Sequence, residues 1–181
     1  IARVFRERTK LFRGAFAEAV DRDPDMAEVH DTFEVLRGVY FVGAHRERLE
    51  KHRDLLGRNV IDNTERGLKY SLGDVARAGV HQTRIYQAFL ELFEDVDVLI
   101  APAASVSPFP HETLFIDEIN GEKMPTYMRW LAITYALTTS LACVAVIPCG
   151  VDDKGLPFGI QIAGPMGTDA MVLEIAHALE Q

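Results

Sequence analysis

Six histidines, two cysteines and a small set of loop serines are the residues in this chain of 181 whose types could carry chemistry. The histidines are His30, His45, His52, His81, His111 and His177. No two stand four apart, the spacing that presents two zinc ligands on one helical face, and no HExxH occurs. His45 and His52 lie among Arg46, Arg48, Lys51 and Arg53, a cationic neighbourhood that opposes a metal dication and reads as a solvated helix face. Cys143 and Cys149 are six positions apart, which is neither a redox nor a metal spacing, so both read as packed small side chains. Ser105 and Ser107 follow a short apolar run, where α/β proteins often place ligands, but no basic partner accompanies them. A P-loop, a GxGxxG and a GxSxG elbow are all missing. Spacing alone yields no catalytic residue, no metal site and no cofactor.

The composition narrows the classes further. Hydrophobic residues make up 48% and charged residues 25%, enough apolar material for a packed core. A net charge of −8 argues against a nucleic-acid partner or an anionic membrane surface. No apolar run approaches the roughly 18–20 residues of a membrane span. Two cysteines exclude a disulfide framework and point to a reducing, cytoplasmic compartment. The opening Ile1-Ala2-Arg3-Val4 has neither a Met nor a signal-peptide pattern and reads as an internal starting point of something longer.

Two segments of different character must position these residues. Residues 1–95 carry 16 Lys/Arg and 17 Asp/Glu; residues 96–181 carry 3 and 10. The first segment reads as amphipathic helices: one over 3–20 before Asp23-Pro24, a long one from Val29 through Leu56 with Gly57 as terminator, and a short one over 59–69. Ser71-Leu72-Gly73-Asp74 reads as a capping box opening a helix whose stripe runs through Val75, Gly79, Thr83, Tyr86, Phe89, Leu90 and Phe93. After Asp97 the pattern changes to buried strands and turns. Residues 98–101, 144–147 and 158–163 read as strands, and 114–119 as an edge strand closed by Asn120-Gly121. The short connection after Cys149 makes the second and third strands antiparallel neighbours, whereas a helix over 126–141 allows the first two to run parallel. A last helix opens at Thr168-Asp169. The fold class is α/β: a helical N-terminal half and a short mixed sheet flanked by helices, 1–181 forming a single partial domain.

These pieces, in this order, resemble the C-terminal part of the amidase signature family. Asp97-Val98-Leu99-Ile100-Ala101-Pro102 resembles its "DVLL-x-P" strand, Val146-Ile147-Pro148-Cys149-Gly150 its "SVPCG", and Gly155-Leu156-Pro157-Phe158-Gly159-Ile160-Gln161 its "GLPVGLQ". Asp169, Leu173, Ala176, His177 and Glu180 are similar to its closing helix, and Asp25, Phe33, Leu36-Arg37 and Gly67 keep its order upstream. The resemblance implies serine-dependent hydrolysis of carbon–nitrogen bonds in small carboxamides, by two serines, a lysine and a glycine-rich oxyanion loop. That apparatus belongs to the family's N-terminal portion. No Gly-Gly-Ser-Ser-Gly-like run occurs here, and Lys10, Lys51, Lys69, Lys123 and Lys154 do not match the catalytic lysine. The expectation is therefore a catalytically inert chain supplying scaffold and one pocket wall.

For that wall the expected substrate-binding residues are Tyr127, Trp130, Thr134 and Thr138, one face of the 126–141 helix. Two departures bear on specificity: Leu141-Ala142-Cys143-Val144 replaces Gly-x-Pro-Ala, and Thr138 replaces Asn. The family's glutamine-dependent amidotransferases place an Asp where this chain reads Trp130-Leu131, which favours an apolar or aromatic amide. The alternatives are a non-catalytic binding module or part of a glutamine-dependent amidotransferase. A small amide is the expected partner, without nucleic acid or membrane, and the uncovered core predicts self-association.

Overall fold

The computed structural model describes residues 1–180. In chain order the elements are α1 (Ala2–Phe12), α2 (Val29–Lys51), α3 (Arg58–Gly67), α4 (Leu72–Asp95), β1 (Leu99–Pro102), β2 (Glu118–Ile119), β3 (Glu122–Lys123), α5 (Ala132–Thr139), β4 (Cys143–Val151), β5 (Pro157–Gly164) and α6 (Asp169–Glu180).

The centre of the molecule is β5, paired antiparallel with β1 on one side and β4 on the other. Side chains alternate across a strand, so β5 serves two cores. Phe158, Ile160 and Ile162 face Val172 and Ala176 of α6 and Val4 of α1. Ala163 faces the opposite way, toward Val29 of α2, Ile85 and Phe89 of α4, and Ala136 and Leu137 of α5. Helices thus flank the sheet on both faces, as the α/β reading expects. The parallel relation of residues 98–101 and 144–147 holds in direction only, because β5 lies between them and each strand's neighbour is antiparallel.

The helix starts and stops follow local chemistry. At the head of α4, the Asp74 amide donates to Ser71 Oγ (3.2 Å) and the Ser71 amide to Asp74 Oδ2 (2.8 Å), the capping box read from the sequence. Its buried stripe is Ala78, Ile85 and Phe89, so of the expected stripe Phe89 is buried while Gly79, Thr83 and Leu90 face solvent. Helices α2 and α3 cross where Gly38 meets Gly67: a Cβ on Gly67 would lie 2.3 Å from the Gly38 carbonyl oxygen. Only two glycines allow backbones this close.

Several expected boundaries move. The first helix ends at Phe12 and a single turn over 13–15, not at residue 20. The long helix ends at Lys51, with Gly57 in extended conformation at the head of α3. The strand expected over 114–119 shrinks to Glu118–Ile119, but its turn is as read, with Asn120 at φ 52° and Gly121 at φ 83°. At the head of α6, Thr168 accepts from the Val172 amide on its carbonyl (3.1 Å) and donates its hydroxyl to the Pro165 carbonyl (2.7 Å). Among the described residues no helix is long and apolar enough to cross a membrane.

Candidate functional site

The sheet holds one loop with unusual firmness. Where β1 ends, the Ala103 amide donates to the Gly159 carbonyl (2.9 Å), and a Cβ on Gly159 would sit 3.2 Å from the Ile147 carbonyl oxygen and 3.3 Å from the Ala103 Cβ. Two residues along, Gln161 is 2% exposed, and its Nε2 donates both to the Pro102 carbonyl (2.8 Å) and to the Ile133 carbonyl (3.1 Å). One buried amide therefore joins β5, the end of β1 and the first turn of α5. Buried polar groups persist when their partners are satisfied, and here the pairing also fixes geometry. Gln161 is legible in the sequence only as part of a family motif. Periodicity places it inside a strand and assigns it no role.

The four expected wall residues divide around this clamp. Thr134 Oγ1 donates to the Ala103 carbonyl (3.3 Å), and Thr138 Oγ1 to the Thr134 carbonyl (3.4 Å); both threonines lie on the exposed face of α5. Trp130 meets Phe109 of the same loop edge to face, centroids 5.3 Å apart, and its Nε1 is buried without an acceptor. Tyr127 goes elsewhere. Its hydroxyl accepts from Arg37 Nη2 on α2 (2.7 Å), and its ring lines a cleft between α2, α3 and residues 114–128.

The single helix expected over 126–141 is therefore broken. Residues 129–131 form one tight turn, Leu131 sits at φ −89°, ψ 12°, and the α-helix proper starts at Ala132. Tyr127 and Trp130 are held by different elements, Arg37 of α2 and Phe109 of the loop after β1. The helix ends at Thr139, and two residues on Leu141 adopts φ 61° while 44% exposed. This is the position where the family pattern has glycine, the residue that tolerates a left-handed backbone.

The remaining candidates sit in unreactive surroundings. Ser107 faces the Asp152 carboxyl; this contact, with the backbone amides of Leu156 and Lys154, holds that carboxyl below its usual range. A carboxylate so held is a poor base for the serine. Burial raises the thiols of Cys143 and Cys149, for Cys143 with the Asp169 carboxylate adding to it, so neither favours a thiolate. The five lysines are exposed. Among the described residues no group of three or more His, Cys, Asp or Glu side chains converges as a metal site would require.

Deeper in the helical layer, His30 Nδ1 lies 2.7 Å from Tyr135 Oη, and Tyr135 stacks on Phe33 with centroids 4.0 Å apart. Burial pushes the Tyr135 phenol up to about 12. The phenol therefore keeps its proton, and His30 is lowered by burial first and by the nearby Arg129 charge second.

Comparison with known proteins places the sequence and the fold in one family. A model of the Amidase family matches residues 7–173. The glutamyl-tRNA(Gln) amidotransferase A subunit of Acidobacterium capsulatum is 33% identical over 132 residues, which is 72% of this chain and 25% of that protein. Its counterpart in Clostridium acetobutylicum is 28% identical over 162 residues, 88% of this chain and 30% of its own length. The fold matches a bacterial aryl acylamidase of the amidase signature family with a TM-score of 0.84 at 20% identity, covering 96% of this chain and 38% of that one. It also matches 6-aminohexanoate cyclic dimer hydrolase with a TM-score of 0.79 at 17% identity, covering 97% and 39%. The chain thus spans between a quarter and two-fifths of the proteins it matches. Because the family model matches residues 7–173, well over half of the sequence, the chain belongs to the amidase family.

Proposed function

We propose that residues 1–181 form a single partial domain of a serine-dependent amide hydrolase, acting on the carbon–nitrogen bond of small apolar or aromatic carboxamides. The observation that supports this reading is the clamp of Gln161 on Pro102 and Ile133, which ties α5 to the 103–109 loop, with Thr134 bonded to Ala103 and Trp130 packed on Phe109. In the reaction, a serine supplied outside this chain attacks the amide carbonyl, and this chain orients the substrate and excludes water. Trp130 and Phe109 offer an aromatic wall, and the Thr134 and Thr138 hydroxyls offer polar contacts at its edge. Tyr127 belongs to the same proposal through the loop it anchors. The attack itself draws on no residue of this chain.

The low cysteine count and the acidic surface support a cytoplasmic setting, and the free edge of β4 supports self-association of the isolated chain. A second reading, part of a glutamine-dependent amidotransferase, is supported by the curated relatives; Trp130, where the family resemblance implies an acid for that class, favours the first.

The test uses the protein that contains this chain, with acetanilide and with glutamine. The proposal expects anilide hydrolysis, and it expects Trp130→Ala to raise KM about tenfold, the loss of ~1–1.5 kcal/mol of aromatic contact, with a smaller effect on kcat. The 181-residue chain alone should not be labelled by a fluorophosphonate. Glutamine hydrolysis without anilide hydrolysis would replace this reading with the amidotransferase one.

A further inference from the structure

We propose that the cleft between α2, α3 and residues 114–128 is a binding site for a small organic carboxylate, with the Arg37 guanidinium as the group that recognises it. The cleft has a volume of about 250 Å³, which suits a small molecule, below the ~300–1,000 Å³ of sites for larger ligands. Three arginines and two carboxylates line it. Glu34 is matched by Arg66 (3.5 Å) and accepts from Thr126 Oγ1 (3.1 Å), and Asp62 is matched by Arg58 (3.7 Å). Arg37 is the cation left over. Among the described residues no carboxylate lies within 4.0 Å of it, and its hydrogen bond goes to the neutral Tyr127 hydroxyl.

The guanidinium is also held ready. Its central carbon lies 4.5 Å from the centroid of Phe41, 5.9 Å from that of Tyr127 and 6.0 Å from that of Phe33. Ring faces attract the cation but do not neutralise it, and they remove the rotamer freedom that binding would otherwise cost. Arg37 Nε is buried and has no acceptor, a donor left unmatched at a cost to the fold. A fixed, partly desolvated guanidinium with no counter-ion is suited to a carboxylate, the anion whose planar oxygens match its terminal N–H groups. The opposite wall is apolar, with Leu114, Phe115, Met124 and Met128, and accommodates a hydrocarbon or aromatic body. The excess positive charge, the aromatic hold on the guanidinium and the apolar wall together describe an acid such as an arylcarboxylate or a short aliphatic one. This inference does not rest on the amide reading, because it concerns binding by residues wholly within this chain.

The test titrates the 181-residue chain with benzoate and with its uncharged isostere benzamide, followed by amide NMR shifts. The expected result is saturable benzoate binding with shifts centred on residues 37, 59 and 127, and benzamide weaker by roughly tenfold. Arg37→Gln should reduce benzoate affinity by roughly tenfold or more. Asn59→Asp supplies an independent arm. Asn59 lines the cleft in the first turn of α3, where an acid suits the helix dipole, so the variant folds at least as well. It should weaken benzoate several-fold and leave benzamide unchanged. Equal binding of the two probes, no saturation, or full benzoate affinity in Asn59→Asp and Arg37→Gln overturns the proposal. Benzoate shifts centred on Trp130 and Thr134 also overturn it, while leaving the amide reading intact.

Discussion

Tyr135 and His30 show how one buried pair makes the fold sensitive to pH. With the phenol pushed up to about 12 and His30 lowered, the native pair is a protonated tyrosine hydrogen-bonded to a neutral imidazole. A histidine whose folded pKa is depressed contributes stability that is present above its ordinary value of about 6.5 and is lost as pH falls from there toward the lowered folded value. Urea unfolding at pH 7.5 and pH 5.5 should therefore show a drop in midpoint at the lower pH, and His30→Gln, which never takes a proton, should show a smaller one. An equal drop in both proteins would place the sensitivity elsewhere. Neither residue stands out in the sequence: His30 is one of six scattered histidines, and Tyr135 falls outside the expected stripe. Side chains paired across 105 positions leave no local trace. Gln161 has a motif around it, yet its two carbonyl partners belong to segments that the sequence does not link.

Elements are legible where their signals are local. The Ser71–Asp74 box, the Asn120-Gly121 turn and the antiparallel pairing of β4 with β5 all follow from residues a few positions apart. The 126–141 helix misleads because its interruption is imposed from outside, by Arg37 pulling on Tyr127 and by Phe109 packing against Trp130. Two substitutions separate local from imposed effects. Gly67→Ala places a methyl against the Gly38 backbone and should destabilise by several kcal/mol, about the scale of overpacking with backbone shifts. Gly79→Ala, in α4 with nothing within 4 Å of the added atom, should stabilise by about 0.5–1 kcal/mol. At the end of α5, Leu141→Gly relieves a left-handed leucine and should gain about 1 kcal/mol in chemical denaturation. A loss there would mean that the leucine side chain contributes more by packing than its backbone costs.

At the scale of the molecule, the sheet is only three strands wide and β4 is one of its two edges. Its outward residues include Val144 at 37%, Val146 at 62% and Val151 at 43% exposure, an apolar row beside unpaired backbone groups. Strands of this kind recruit others. Sedimentation of the isolated chain should show concentration-dependent association, and Val146→Lys should reduce it without changing the stability by more than about 0.5 kcal/mol. Because Ile160 and Ile162 pack against α1 while Ala163 packs against α2 and α4, the penultimate element of the chain closes contacts begun by its first residues. A ribosome making this protein releases α1, α2 and α4 well before the strand that covers them exists. Chaperone occupancy on the nascent helices should persist until residues 157–164 clear the exit tunnel, and a stop codon before Pro157 should yield a product that proteases remove.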